Sequence, residues 1–107
     1  MKFILDGRSF DTATSSAVAV SQGVYDLSNS GFERRGSAEE VRFKRVMYRT
    51  VSGTLFVHYL ETYKFANGKP IVRHAAEKID ENMAIAWIQR QGAALVDETG
   101  LSLFPQG

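Results

Sequence analysis

Histidine, carboxylate and lysine side chains are the groups in this chain best able to move protons or hold a metal, and catalysis needs them clustered and tunable, in which this chain is poor. There are two histidines, His58 and His74, and no cysteine; thiolate zinc sites, thiol nucleophiles and disulfides are therefore excluded. Glu61 stands between the histidines. If the turns at Ser52-Gly53 and Asn67-Gly68 are two-residue hairpin turns, loop length fixes the strand register. Glu61 then faces Lys44 on one side and His74 on the other. Such a row reads as a cross-strand ion-pair ladder worth a few tenths to about 1 kcal/mol. In the same register His58 and His74 fall on opposite faces, which argues against a shared metal site or an acid–base pair. No serine stands in a nucleophile elbow, and neither a GxGxxG nor a Walker-type phosphate loop occurs. These residues point to a protein that is no enzyme and needs no cofactor.

Recognition chemistry is better supplied. The expected register sets Arg49 opposite Phe56, Met47 opposite His58 and Arg42 opposite Tyr63, then Tyr63 opposite Val72 and Phe65 opposite Pro70. Period-two alternation sorts the side chains into two faces. One carries Val41, Phe43, Met47, Phe56, Leu60, Ile71 and Ala75, with Arg45, Arg49, His58 and Arg73 at its margins. The other carries Arg42, Lys44, Val46, Tyr48, Val57, Tyr59, Glu61, Tyr63, Val72 and His74. The first reads as a core face. The second presents Tyr48, Tyr59 and Tyr63 beside Arg42 and Lys44, residue types enriched at protein–protein hot spots. The same rings and cations would suit a single-stranded nucleic acid. Glu61 in mid-face and a net charge of only +1 favour a larger protein or nucleoprotein complex as the partner, with nucleic acid as the alternative. A bulge at Arg45-Val46 would exchange the faces of everything before it. The edge of the meander could also pair with a second copy to make a homodimer.

The elements that must position these residues can be read along the chain. Lys2 to Leu5 and Arg8 to Phe10 form a small hairpin around Asp6-Gly7. Asp11 or Thr12 caps a helical turn or two through Thr14 to Val20, ended by Gly23, unless the β-branched content makes this stretch a strand. Residues 26–40 hold two glycines, three serines and an asparagine and read as a long loop. Within it Phe32, Arg34 and Arg35 form a second candidate contact site, unless Phe32 anchors the loop to the core. Three strands then run from Val41 to Ala76. Asp80 is a good helix N-cap with Glu81 in the first turn, and Met83, Ala84, Trp87, Ile88 and Gln91 define an amphipathic stripe ending at Gly92. Trp87 is the expected anchor on the meander. A short edge strand or a last turn through Leu95-Val96 follows, with Leu101, Leu103 and Phe104 over the core. The expected fold class is α+β: an antiparallel meander of about three to five strands packed against one C-terminal amphipathic helix.

Composition sets the outer bounds. A chain of 107 residues, 44% hydrophobic and 23% charged, reads as one folded domain rather than a disordered segment. No apolar run approaches the roughly 18 to 20 residues of a membrane span, and residues 1–6 are too short for a signal core; a cytoplasmic protein is expected. Charge is uneven. Residues 34–49 carry six basic residues against Glu39 and Glu40, and residues 77–107 carry five acids against Lys78 and Arg90. The resulting dipole can steer a charged partner.

Three segments carry a family resemblance: Leu5-Asp6-Gly7 with Phe10-Asp11-Thr12 and Thr14; Tyr48-Arg49-Thr50, Ser52-Gly53-Thr54 and Phe56; and Ile79-Asp80-Glu81, Ala84, Trp87-Ile88 and Gly92-Ala93. In order and spacing they are similar to a family of short, largely uncharacterised accessory proteins of conjugative elements, plasmids and phages. These motifs are structural, and they assign no catalytic residue. The resemblance implies an accessory role, such as a small inhibitor of host defence of the anti-CRISPR or anti-restriction kind that acts by occlusion.

Overall fold

The structure is a computed structural model that describes residues 1–26, 38–66 and 68–96. Its frame is a five-stranded antiparallel sheet in the order β6-β5-β4-β3-β7, with a separate two-stranded hairpin, β1-β2. The strands are β1 (Lys2–Leu5), β2 (Arg8–Asp11), β3 (Ser16–Asp26), β4 (Glu40–Arg49), β5 (Leu55–Lys64), β6 (Ile71–Ile79) and β7 (Ala94–Leu95); α1 (Glu81–Gln91) lies between β6 and β7. Among the described residues the fold is thus mostly antiparallel sheet with one helix in the C-terminal half. No helix among the described residues is long and apolar enough to cross a membrane.

The opening hairpin forms as its turn chemistry dictates. Asp6 and Gly7 have φ of 51° and 74°, the doubly left-handed pair of a type I′ turn that matches the twist of the flanking strands. Phe3 and Phe10 are cross-strand partners and both rings reach the main sheet, Phe3 against His58 at 5.1 Å and Phe10 edge-on to Phe56 at 5.3 Å.

The helical turn expected after Asp11 is replaced by a tight turn and a strand. Asp11 Oδ1 accepts from Ala13 N at 3.0 Å, and Ser15 Oγ donates to Asp11 O at 2.7 Å. These local bonds satisfy the backbone without a helix, and the run Ser16-Ala17-Val18-Ala19-Val20 continues as β3. The bulge lies here and not at Arg45-Val46: the β3–β4 register shifts between Ala17 and Ala19, while β4–β5 pairs without interruption. The shift sends both Val18 and Ala19 into the core. Gly23 ends nothing. It sits within β3 opposite Phe43, whose ring occupies the space a Cβ would need, at 2.8 Å.

The register of the central meander differs from expectation by one residue at each turn. Between β4 and β5 the loop is Val51-Ser52-Gly53. Gly53 N donates to Thr50 O and Thr50 N to Thr54 O, both at 2.9 Å, and Gly53 takes φ 90°. A three-residue loop therefore pairs Tyr48 with Phe56 and Phe43 with Glu61. The β5–β6 ladder pairs Glu61 with Arg73 and Leu60 with His74; Asn67 of the expected Asn-Gly turn lies outside the described residues.

Helix α1 follows its signals closely. Asp80 accepts from Met83 N at 2.8 Å, and Gly92 closes the helix with φ 59°, its N–H directed to Gln89 O and Ile88 O. At about 1.5 Å per residue the helix carries the chain some 16 Å. That is most of the way from β6 to the far edge, where β7 pairs with β3. On the way Ala84, Trp87 and Ile88 pack on Val18, Ala19, Met47, Leu55, Val57 and Ile79, and Trp87 is only 4% exposed. Met83, expected in the stripe, is 49% exposed. Leu101, Leu103 and Phe104 lie outside the described residues.

Candidate functional site

Because paired residues share a face, the observed register divides the sheet cleanly. Met47, Leu55, Val57 and Ile79 face α1; Tyr48, Phe56 and His58 face the β1-β2 hairpin. The expected binding face is therefore split. Arg42, Lys44 and Tyr48 stand on the hairpin side, and Tyr59 and Tyr63 stand on the helix side. The cause is β5: relative to β4 it is turned over by the extra loop residue. Phe32, Arg34 and Arg35 lie outside the described residues.

The hairpin side holds cations without free rings. Tyr48 is stacked on Phe56 at 5.3 Å and 20°, half-buried, and burial raises its pKa. Arg42 Nε bonds Glu40 Oε2 at 3.0 Å. Arg42 and Lys44 border a groove of about 310 Å³ with Gln22, Val24, Leu60 and Thr62. His58 and His74 meet on this side. Their rings stack at 5.2 Å and 11°, with Nε2 of His58 3.0 Å from Nδ1 of His74. The expectation that they lie on opposite faces is overturned by the same one-residue shift. Burial, then His74, then the N-terminal amine lower the His58 pKa. Two imidazoles can hold a metal only with further ligands, and no group of three or more His, Asp or Glu gathers among the described residues. The expected Lys44–Glu61–His74 row does not form either, since Glu61 points to the helix side.

Rings and cations do come together on the helix side, beyond the end of α1. Tyr25 stacks on Phe43 at 5.1 Å, and the Arg45 guanidinium lies 4.4 Å from the centre of the Phe43 ring. Arg45 also donates to Gln91 Oε1, tying the platform to the helix. One strand over, Tyr63 donates to Glu61, and that bond is the main cause of its raised pKa. The Arg73 guanidinium sits 5.8 Å from the Tyr63 ring. Tyr59 marks the border. Half-buried against the core, it donates to Glu77 Oε2 at 3.1 Å, and burial followed by that bond raises its pKa. Tyr25 and Ile71 are more than half exposed, at 54% and 52%.

Of these residues, only Tyr59 and Tyr63 are expected from the sequence to bind. Tyr25 falls between the expected stop at Gly23 and the loop expected at 26–40 and carries no expectation, and Phe43, Arg45 and Arg73 are expected on the core face or its margins. One signal could have found the platform: a strand glycine, Gly23, is where a neighbouring ring can lie across the backbone. The chain matches no protein-family model, no curated protein and no solved structure.

Proposed function

We propose that the protein is a non-catalytic protein-binding module that docks through the helix-side platform of Tyr25, Phe43, Arg45, Tyr63 and Arg73. The observation that carries this reading is the Tyr25–Phe43–Arg45 stack standing beside Tyr63–Arg73 on a sheet surface that no described element covers. Tyrosine and arginine bury large area with few rotatable bonds and are the commonest energetic anchors of protein interfaces. Arg45 is pre-positioned by Gln91 and Phe43, which lowers the ordering penalty of docking. The partner suited to the platform offers apolar side chains for the rings and carboxylates for the two arginines.

A single-stranded nucleic acid fits less well. Arg45 and Arg73 share the face of the rings, but Arg42 and Lys44, which a backbone of phosphates would also need, are on the far side from Tyr63; Glu61 stands among the rings, and the net charge is only +1. The resemblance to accessory proteins of mobile elements supports a partner belonging to a host-defence complex, blocked by occlusion without turnover. Affinity capture from the native host with the intact chain and with the Tyr25→Ala, Tyr63→Ala double variant tests the reading. The expected outcome is a partner held by the first and lost by the second while circular dichroism is unchanged. A partner retained by the folded double variant refutes the site. Salt then separates the partner classes: a nucleic acid would be released steeply with ionic strength, a ring-centred protein interface only modestly.

A further inference from the structure

Strand β6 is an edge of the sheet. Among the described residues no backbone hydrogen bond beyond its β5 ladder is made by residues 71–79, and that ladder has no bulge. All but Ala76 and Ile79 are exposed, Ile71 and Val72 at 52% each. A long, regular, partly apolar edge is a template for another strand, and proteins that keep such an edge single blunt it with charged side chains, proline or a bulge; residues 71–79 have neither proline nor bulge. Here the charges are mixed, and their order is informative.

We propose that the outer edge of β6 pairs antiparallel with β6 of a second copy about a two-fold axis through Ala75. An axis through a residue pairs odd with odd and even with even, so each copy keeps its helix side on the same surface. Centred on Ala75, Arg73 of each copy meets Glu77 of the other, Ile71 meets Ile79, and the small Ala75 faces itself at the axis, where room is least. Other centres lose this match. His74 as the centre sets Ile71 against Glu77, Ala76 sets His74 against Lys78, and centres at Arg73 or Glu77 oppose like charges. Arg73 already stands beside Tyr63, and Glu77 beside Tyr59, on the helix side, so both are placed to reach across the new ladder. Two five-stranded sheets would join into one.

The test is sedimentation equilibrium of the full chain at concentrations up to about 1 mM. The native chain is expected to run as a concentration-dependent dimer. Arg73→Glu and Glu77→Arg each oppose like charges twice and should weaken the dimer about tenfold. Mixing the two variants restores both pairs and should yield a heterodimer of native-like affinity, a readout that requires both chains to be folded. A native chain that stays monomeric throughout, a dimer indifferent to both substitutions, or folded single variants that fail to associate when mixed would each overturn the proposal.

Discussion

The two ends of this sheet are built from the same four long strands and treated oppositely. At the closed end, Leu55, Val57, Met47 and Ile79 lie under α1 and Phe56 lies under Phe10, so the sheet is covered on both sides. At the open end, residues 41–44 and 60–64 extend past both covers, and among the described residues their rings and charges meet only side chains of the sheet itself. Cohesion and recognition are thus separated along the strands: one end supplies the burial that keeps the chain folded, which lets the other remain exposed. Changes at the closed end should therefore move stability, and changes at the open end should move binding.

Stability should fall furthest when the closed end loses its anchor. Trp87→Ala removes the buried indole from the core of α1 and should cost about 3–5 kcal/mol, read as a shift of the urea midpoint at constant slope. The same measurement on Tyr63→Ala should give under about 1 kcal/mol. Comparable losses at the two residues would erase the distinction between the ends.

How far this division was legible in the sequence depends on a single loop residue. The hairpin at Asp6-Gly7, the caps Asp80 and Gly92, the Trp87 anchor and the edge strand near Leu95 were all readable, because each rests on local chemistry that few alternatives share. Register was not. Gly53 takes φ 90°, and a left-handed glycine serves a two-residue turn and the last position of a three-residue loop equally well. A two-residue turn would place Tyr59, Glu61 and Tyr63 on the side of Arg42 and Lys44; the three-residue loop turns β5 over and places them on the other. The β5–β6 register is also shifted by one residue, so the two shifts cancel between β4 and β6: Phe43 and Ile71 share a face, as expected. β3 was ambiguous for another reason. Its alanines favour helix and its valines strand, and the bulge at Val18 hides the alternation that would decide.

A smaller effect sharpens the account of the helix cover. Asp80→Ala leaves Met83 N without its acceptor and should destabilise the protein by about 1 kcal/mol. Asp80→Asn, which keeps an accepting oxygen, should recover most of that loss in the same denaturation series.

The hairpin cover should respond to acid through His58. The folded state depresses this imidazole's pKa, so neutral His58 is favoured on folding. Its stabilisation is complete above the unfolded value of about 6.5 and is lost as pH falls from there through the lower folded value. Within that window the unfolded chain binds more protons, so stability rises with pH. Urea midpoints from pH 7.5 to 5 should fall, and His58→Gln should flatten the decline. An unchanged slope in that variant would assign the acid sensitivity elsewhere.

The smallest expected effect tests what the open end uses. Tyr63→Phe deletes the hydroxyl that bonds Glu61 but keeps the ring beside Arg73. Glu61 is only half-buried and can turn to water, so stability should change by less than about 0.5 kcal/mol. If the platform acts through its rings, captured partner should be held by Tyr63→Phe and lost only when Tyr63→Ala is combined with Tyr25→Ala. Loss already at Tyr63→Phe would make the phenol–carboxylate pair the recognition element, and the partner's contact would then be a donor facing Glu61 rather than an apolar side chain on the ring.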